Sequence, residues 1–235
     1  MITKIFTAST LGLQAQLIEV EIDLGHSLPG IVVVGLPDKA VQESKERIRA
    51  ALKQSGFEFP VGKITVNLAP ADIIKTGTGF DLAIAIGILQ LTGILPKFEA
   101  KTLFVGELAL DGRIRGVTGL LTICLWARAN GYTQIFLPCD NESEVSLVPN
   151  LKLFAAQNLT QIVKHLQGTK ILQPVLPINL EQHFAKTKIP NFTNNGENSA
   201  QVKNTKLENL QKILDSFQGT ELVKMINNSN HEKTF

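Results

Sequence analysis

The chain has 235 residues, 44% of them hydrophobic, enough to bury a core of one domain with an appendage to spare. Its formal net charge of +2 gives no global field that would mark a nucleic-acid or membrane binder, so any basic surface must be local. Cys124 and Cys139 lack C-x-x-C spacing and read as reduced thiols of a cytosolic protein. Met1–Phe6 has no signal-peptide profile, and the apolar stretch from Leu82 to Leu95 is interrupted by Gln90, Thr92 and Gly93. Spanning a bilayer takes about 20 apolar residues, so this stretch reads as a core helix and the expected location is cytoplasmic.

The opening is β-rich. Leu13 to Ile22 alternates apolar Leu17, Val20 and Ile22 with Gln16, Glu19 and Glu21, a half-buried strand pattern. Leu28-Pro29-Gly30 is a turn, and Ile31–Leu36 follows as a strand rich in β-branched residues. Pro37-Asp38 starts a helix with Asp38 as its cap, an apolar stripe through Ala40, Val41, Ser44, Ile48, Ala51 and Leu52, and Gly56 at its end. Lys63–Leu68 is the next strand, closed by Pro70.

A Gly77 turn then leads into a Phe80–Leu91 helix. Strands are expected near Leu103–Leu108 and Arg113–Arg115, and a helix from Val117 to Asn130 that stops at Gly131. Gln134–Leu137, Glu142–Ser146, Lys152–Ala156 and Leu159–Leu166 add two further strand–helix units. Regular patterning ends near Gln173-Pro174, which places one domain over residues 1–175 and a linker and largely disordered tail over 176–235. Within the tail, Leu207, Leu210, Leu214 and Phe217 have helical spacing, so a short helix is expected near 206–218.

Several motifs occur together and in order: Val34-Gly-Leu-Pro-Asp38, Arg47-Ile-Arg-Ala-Ala-Leu52, Ser55-Gly-Phe-Glu-Phe-Pro60, Ile64-Thr-Val-Asn-Leu-Ala-Pro-Ala-Asp72, Gly79-Phe-Asp-Leu82 and Gly106-Glu-Leu-Ala-Leu-Asp-Gly112. Over roughly residues 1–175 this pattern resembles the amino-terminal domain of the ComM/YifB family, also called magnesium-chelatase-like. The resemblance implies an α/β (α+β) fold like the carboxy-terminal domain of Lon protease and domain 2 of the fifth small-subunit ribosomal protein. Such a fold is a mixed sheet with packed helices. It also implies a place beside an AAA+ motor, in a hexameric helicase that promotes branch migration of transforming DNA.

The motor's own signature is missing from these residues. A Walker A loop needs G-x-x-x-x-G-K-[ST], with amides cradling phosphate, Lys neutralising it and a hydroxyl on magnesium. The near miss Gly62-Lys63 would put its first glycine at Phe57, and Ile64 replaces the hydroxyl. Pro190-Asn-Phe192, where the family continues toward the motor, gives way to an Asn-rich tail. The expectation is a shortened or decayed reading frame, or a deliberately cut chain, with no ATPase, no chelatase activity and no cofactor.

The same resemblance places a peptidase dyad on this sequence. A Ser–Lys dyad works because a desolvated, neutral Lys takes the Ser proton beside oxyanion donors. Aligning Gly77-Thr-Gly79 with the Lon-type turn puts the nucleophile at Gly79, and aligning Thr118-Gly-Leu-Leu121 puts the base at Leu121. Neither residue can do that chemistry. Thr76 and Thr78 are nearby hydroxyls without an activating partner legible in the motif. Ser/Lys-type peptidase activity is the distant alternative.

Asp81 and Glu107 are acids in recognisable motifs. A carboxylate pair can hold a metal or work as acid and base, but Asp81 in the first turn of a helix also simply complements its dipole. His26, His165, His183 and His231 lack ligand spacing, so no metal is expected.

The helix after Pro37 carries Lys39, Lys45, Arg47, Arg49 and Lys53. With Lys63, Arg113 and Arg115 it offers a candidate DNA-contacting surface made of Lys45, Arg47, Arg49, Lys53, Lys63, Arg113 and Arg115. The bland alternative is a solvated helix with local ion pairs such as Glu46 with Arg49. No aromatic residues are interleaved for base stacking. The function expected is a non-catalytic module assisting DNA contact or ring assembly, with self-association or an AAA+ partner. A protein-interaction module and an inert remnant are the alternatives.

Overall fold

The computed structural model describes residues 2–12, 14–97 and 101–177. The described residues fall in a compact unit, Met1–Ile178. The tail, with the helix expected near 206–218, lies outside them.

A seven-stranded sheet runs in the order β3-β4-β2-β1-β5-β8-β9. Its strands are β1 (Ile2–Leu11), β2 (Gln14–Gly25), β3 (Gly30–Val34), β4 (Lys63–Ala69), β5 (Thr102–Phe104), β8 (Gln134–Pro138) and β9 (Lys152–Ala156). Only β2 runs against its neighbours, pairing antiparallel with β1 and with β4. The remaining pairs are parallel. A separate ribbon joins β6 (Glu107–Leu108) to β7 (Ile114–Arg115). The mixed α/β fold that the resemblance implied is the one observed.

Parallel neighbours need crossovers, and helices supply them. The helix α1 (Lys39–Gln54) links β3 to β4, α2 (Asp81–Leu91) leads toward β5, α3 (Leu120–Ala129) precedes β8, and α4 (Glu142–Val145) and α5 (Leu159–Leu166) flank β9. The apolar stripe read from the sequence is the buried face of α1: Val41, Ser44, Ile48, Ala51 and Leu52. Asp38 caps it as expected, accepting from the Val41 N–H at 2.8 Å.

By contrast, α2 is buried all round from Asp81 to Leu89, the pattern of a helix sunk into a core rather than lying on a surface. It seats so closely on the sheet that a Cβ at Gly87 would come within 2.4 Å of Ile22 Cδ1 and 3.0 Å of Ile5 Cγ1.

Two hydrophobic clusters result. One joins α1, α2 and α5 through residues such as Ile48, Ile84, Phe104 and Ile162. The other packs Leu120, Ile123 and Cys124 of α3 against Leu103, Ile135 and Leu153. Both cysteines are free, and burial pushes the Cys124 thiol up to about 12.

The strand β3 forms one border of the sheet and leaves Val32 and Val34 exposed. Beyond it, Gly35 has φ +94° and approaches Leu68 so closely that a Cβ would lie 2.2 Å from the Leu68 carbonyl oxygen.

The structure differs from the sequence reading in three places. The first strand, β1, is absent from the reading because its buried positions include Thr3 and Thr7, which mask the alternation. The expected Leu103–Leu108 strand is two pieces that belong to different sheets. The third helix begins at Leu120 rather than Val117, because Gly119 in a left-handed conformation (φ 78°) interrupts the backbone just before it. Among the described residues no helix is long and apolar enough to cross a membrane.

Candidate functional site

The turn before α2 is built by Asp38. Its second carboxylate oxygen accepts from the Gly77 N–H at 3.1 Å, while Lys75 exchanges backbone bonds with Leu36 and Asp38 at 3.1 and 3.0 Å. One acid thus caps α1 and holds the turn 39 residues away. On the other side, the Gly106 N–H donates to the Gly79 carbonyl at 3.0 Å and the Leu82 N–H donates to the Gly106 carbonyl at 3.0 Å.

Gly79 faces a shallow apolar wall. A Cβ there would lie 3.8 Å from Val105 Cγ1 and 3.8 Å from Val117 Cγ1, which is ordinary contact. Leu121, four residues beyond Val117, is half-buried and packs with the second hydrophobic cluster. The segment carrying Val117 is itself clasped by Asn141, which accepts from the Val117 N–H at 3.0 Å and donates to its carbonyl at 2.8 Å. Gly79 therefore has room for a side chain, and Leu121 adds an aliphatic group to the cluster that also holds Val105 and Val117.

Three features of this wall escaped the sequence. Thr78 Oγ1 donates to Glu107 Oε2 at 2.5 Å, and Arg115 Nη1 donates to Glu107 Oε1 at 3.2 Å. Lys75 is fully buried, its ammonium donates to the Pro70 carbonyl, and burial lowers its pKa below the ordinary lysine range. Nothing in their spacing announces these contacts, since Thr78 and Glu107 are 29 residues apart.

The third is a buried ion pair. Arg47 Nε lies 2.7 Å from Asp81 Oδ2, and Arg47 Nη2 lies 3.1 Å from Asp81 Oδ1, a two-pronged contact. The side chains are 18% and 1% exposed. Asp81 Oδ2 also accepts from the Leu108 N–H at 3.2 Å. Burial pushes the Asp81 carboxyl up to about 6, with Arg47 and the Leu108 amide pulling the other way without cancelling it. The hydrogen bonds that Arg47 donates to Asp81 raise its own pKa above the ordinary arginine value.

This pair corrects the candidate DNA-contacting surface. Arg47 is turned inward, because a carboxylate buried at the start of α2 needs its guanidinium more than solvent does. Arg113 and Arg115 are exposed but paired, with Asp111 at 2.7 Å and Glu107 at 3.2 Å. Arg49 is exposed and sits 4.7 Å over the Phe59 ring, a contact that leaves its charge available. Lys53 and Lys63 are exposed and Lys45 half-exposed, and none has a carboxylate partner among the described residues. The expected Glu46–Arg49 pair does not form; Lys39 pairs with Glu43 at 3.7 Å instead. Among the described residues no cluster of His, Cys, Asp or Glu could hold a metal ion.

A parallel-rich sheet, a buried second helix and a Gly-rich turn facing the start of α3 define a Lon-like α/β domain. Lon protease of Brevibacillus choshinensis is 24% identical over 161 residues, covering 63% of this chain and 20% of that protein. The family described as "Subunit ChlI of Mg-chelatase" matches residues 20–141. Competence protein ComM of Haemophilus influenzae is 39% identical over 190 residues, 80% of this chain and 36% of that protein. YifB of Escherichia coli is 40% identical over 178 residues, 74% of this chain and 34% of that protein. The chain belongs to this ChlI family of ComM- and YifB-like proteins, and it spans about a third of the length of those two relatives.

Proposed function

We propose that this chain is a non-catalytic, cytoplasmic module of a DNA-processing assembly, contacting DNA phosphates through the solvent face of α1. The observation that carries the non-catalytic part is the pair Gly79 and Leu121, since no proton acceptor stands at the base position and no hydroxyl at the nucleophile position. The DNA part rests on the relationship to a competence protein and on Lys45, Arg49 and Lys53 of α1, with Lys63 at the start of β4, whose charges have no acidic partner among the described residues.

Fluorescence anisotropy of forked and single-stranded DNA tests it, between about 50 and 200 mM salt, where phosphate contacts weaken steeply. Binding that falls with salt, and falls at least tenfold in Arg49→Glu/Lys53→Glu, is the expected outcome. No binding at the lowest salt overturns the DNA part. Labelling of Thr78 by a fluorophosphonate, or cleavage of casein, overturns the non-catalytic part.

A second reading, self-association, is favoured by β3. From Ser27 to Pro37 the chain carries no charge, so this border strand laid against that of a second copy meets no like-charge repulsion. Light scattering of the chain and of Val32→Lys separates it: a larger species that the substitution dissolves supports assembly, and a monomer in both rejects it.

A further inference from the structure

At the carboxy-terminal end of α1, the β6–β7 turn and the start of α5 border a cleft of about 430 Å³. All nine of its lining residues are polar or charged. Three cations reach it from separate segments: Arg113 from the β6–β7 turn, Lys164 from α5, and Lys170 from the chain that follows. The acid in the lining is Asp111, and it is engaged by Arg113 through the side-chain Nε at 2.7 Å and the backbone N–H at 3.1 Å. Three positive charges against one negative leave the cleft at +2.

The cleft is held by backbone rather than by flexible side chains. The Leu159 N–H donates to the Gly112 carbonyl at 2.9 Å and the Ile114 N–H donates to the Gln157 carbonyl at 2.8 Å, which fastens the turn to the start of α5. A Cβ at Gly112, where φ is +84°, would lie 2.4 Å from Ser55 Oγ, so the turn also sits directly on the end of α1. The Lys170 N–H and the Thr169 N–H both donate to the Lys164 carbonyl, at 3.2 and 2.9 Å, which keeps the two lysines side by side. Asn158, Thr160 and Gln161 add neutral polar groups at the amino-terminal end of α5, whose dipole favours an anion.

We infer that this cleft is a phosphate-binding site, Lys164 and Lys170 supplying charge that has no carboxylate partner among the described residues and Arg113 a guanidinium whose orientation Asp111 fixes. Side-chain amide and hydroxyl groups in an electropositive cleft of polar residues match the many acceptor oxygens of phosphate. The site goes beyond the α1 surface proposed above and stands on different residues. A phosphodiester of a nucleic-acid backbone and a small phosphorylated molecule share this chemistry.

The test is a titration of inorganic phosphate into the full chain at about 50 mM salt, followed by amide chemical shifts, for the native sequence, Lys164→Glu/Lys170→Glu, Lys164→Arg/Lys170→Arg and Lys39→Glu. Saturable shifts centred on Arg113 and Thr160–Lys164 are expected, at least tenfold weaker in the Glu pair and retained in the Arg pair and in Lys39→Glu. Circular dichroism checks that the Glu pair is folded. Displacement of phosphate by single-stranded DNA assigns the site to backbone phosphate, and phosphate binding that DNA does not displace assigns it to a small phosphorylated ligand; either supports the site. Absence of saturable shifts in the cleft, or equal binding by the folded Glu pair, overturns it. Absence of saturable phosphate shifts in the cleft while DNA still binds through α1 leaves the proposed function standing and this site fallen, so the two fail separately.

Discussion

At the residue scale the buried Arg47–Asp81 pair decides most. Removing one partner leaves the other as an uncompensated charge, a change that costs about 3–5 kcal/mol. Arg47→Ala is therefore expected to lower stability by that amount in urea unfolding, while Lys53→Ala, on the exposed face of the same helix, changes it by less than about 0.5 kcal/mol. Asp81 also predicts a pH dependence. Its folded pKa of about 6 lies above the ordinary 3.8, so the folded state holds its proton more tightly than the unfolded chain does. That contribution is fully present below about pH 4 and is lost as pH rises toward 6, on the order of 1 to 3 kcal/mol. Urea titrations of the native chain and Asp81→Asn between pH 4 and 7 should differ in slope within that window and run parallel above it. Gly79→Ser is the opposite case: its Cβ finds only ordinary contacts at 3.8 Å, so stability should move by less than about 0.5 kcal/mol. With Leu121 unchanged, the new hydroxyl should stay unlabelled by a fluorophosphonate.

At the scale of elements, α2 is set by small residues. Gly87 lets the helix touch Ile5 and Ile22 directly, and a branched side chain there must displace core groups that have nowhere to go. Gly87→Val is expected to cost about 3 kcal/mol or to prevent folding, read as a loss of cooperative unfolding. Elements with one periodic signal were legible in the sequence: the stripe and cap of α1, the apolar run of α2, the alternation of β2. What escaped was long-range. The strand β1 hides its pattern behind buried threonines, and β6 separates from β5 because Val105 still bonds the Phe136 carbonyl of β8 whereas Gly106 bonds Gly79 and Leu82 at the α2 entry. The site divides the same way. Gly79 and Leu121 could be placed from local motifs, whereas the inward turn of Arg47 depends on an acid 34 residues away, and the polar cleft on three segments that only the fold unites.

At the scale of the whole molecule, the described domain is a sheet in which motifs distant in sequence are tied by single polar groups. Arg47 joins α1 to the start of α2, Gly112 lets the β6–β7 turn rest on the end of α1, and Asp38 spans the remaining gap by accepting from Val41 and from Gly77. The last of these makes the first turn of α1 and the turn before Gly79 a single cooperative opening unit. Each amide is held by its own oxygen of that one carboxylate, so losing the carboxylate frees both. In Asp38→Ala the amides of Val41 and Gly77 should lose protection together and to the same extent, with a stability loss of about 1 kcal/mol from the missing cap. Independent exchange rates at the two amides would mean that the turn keeps its shape without the clasp.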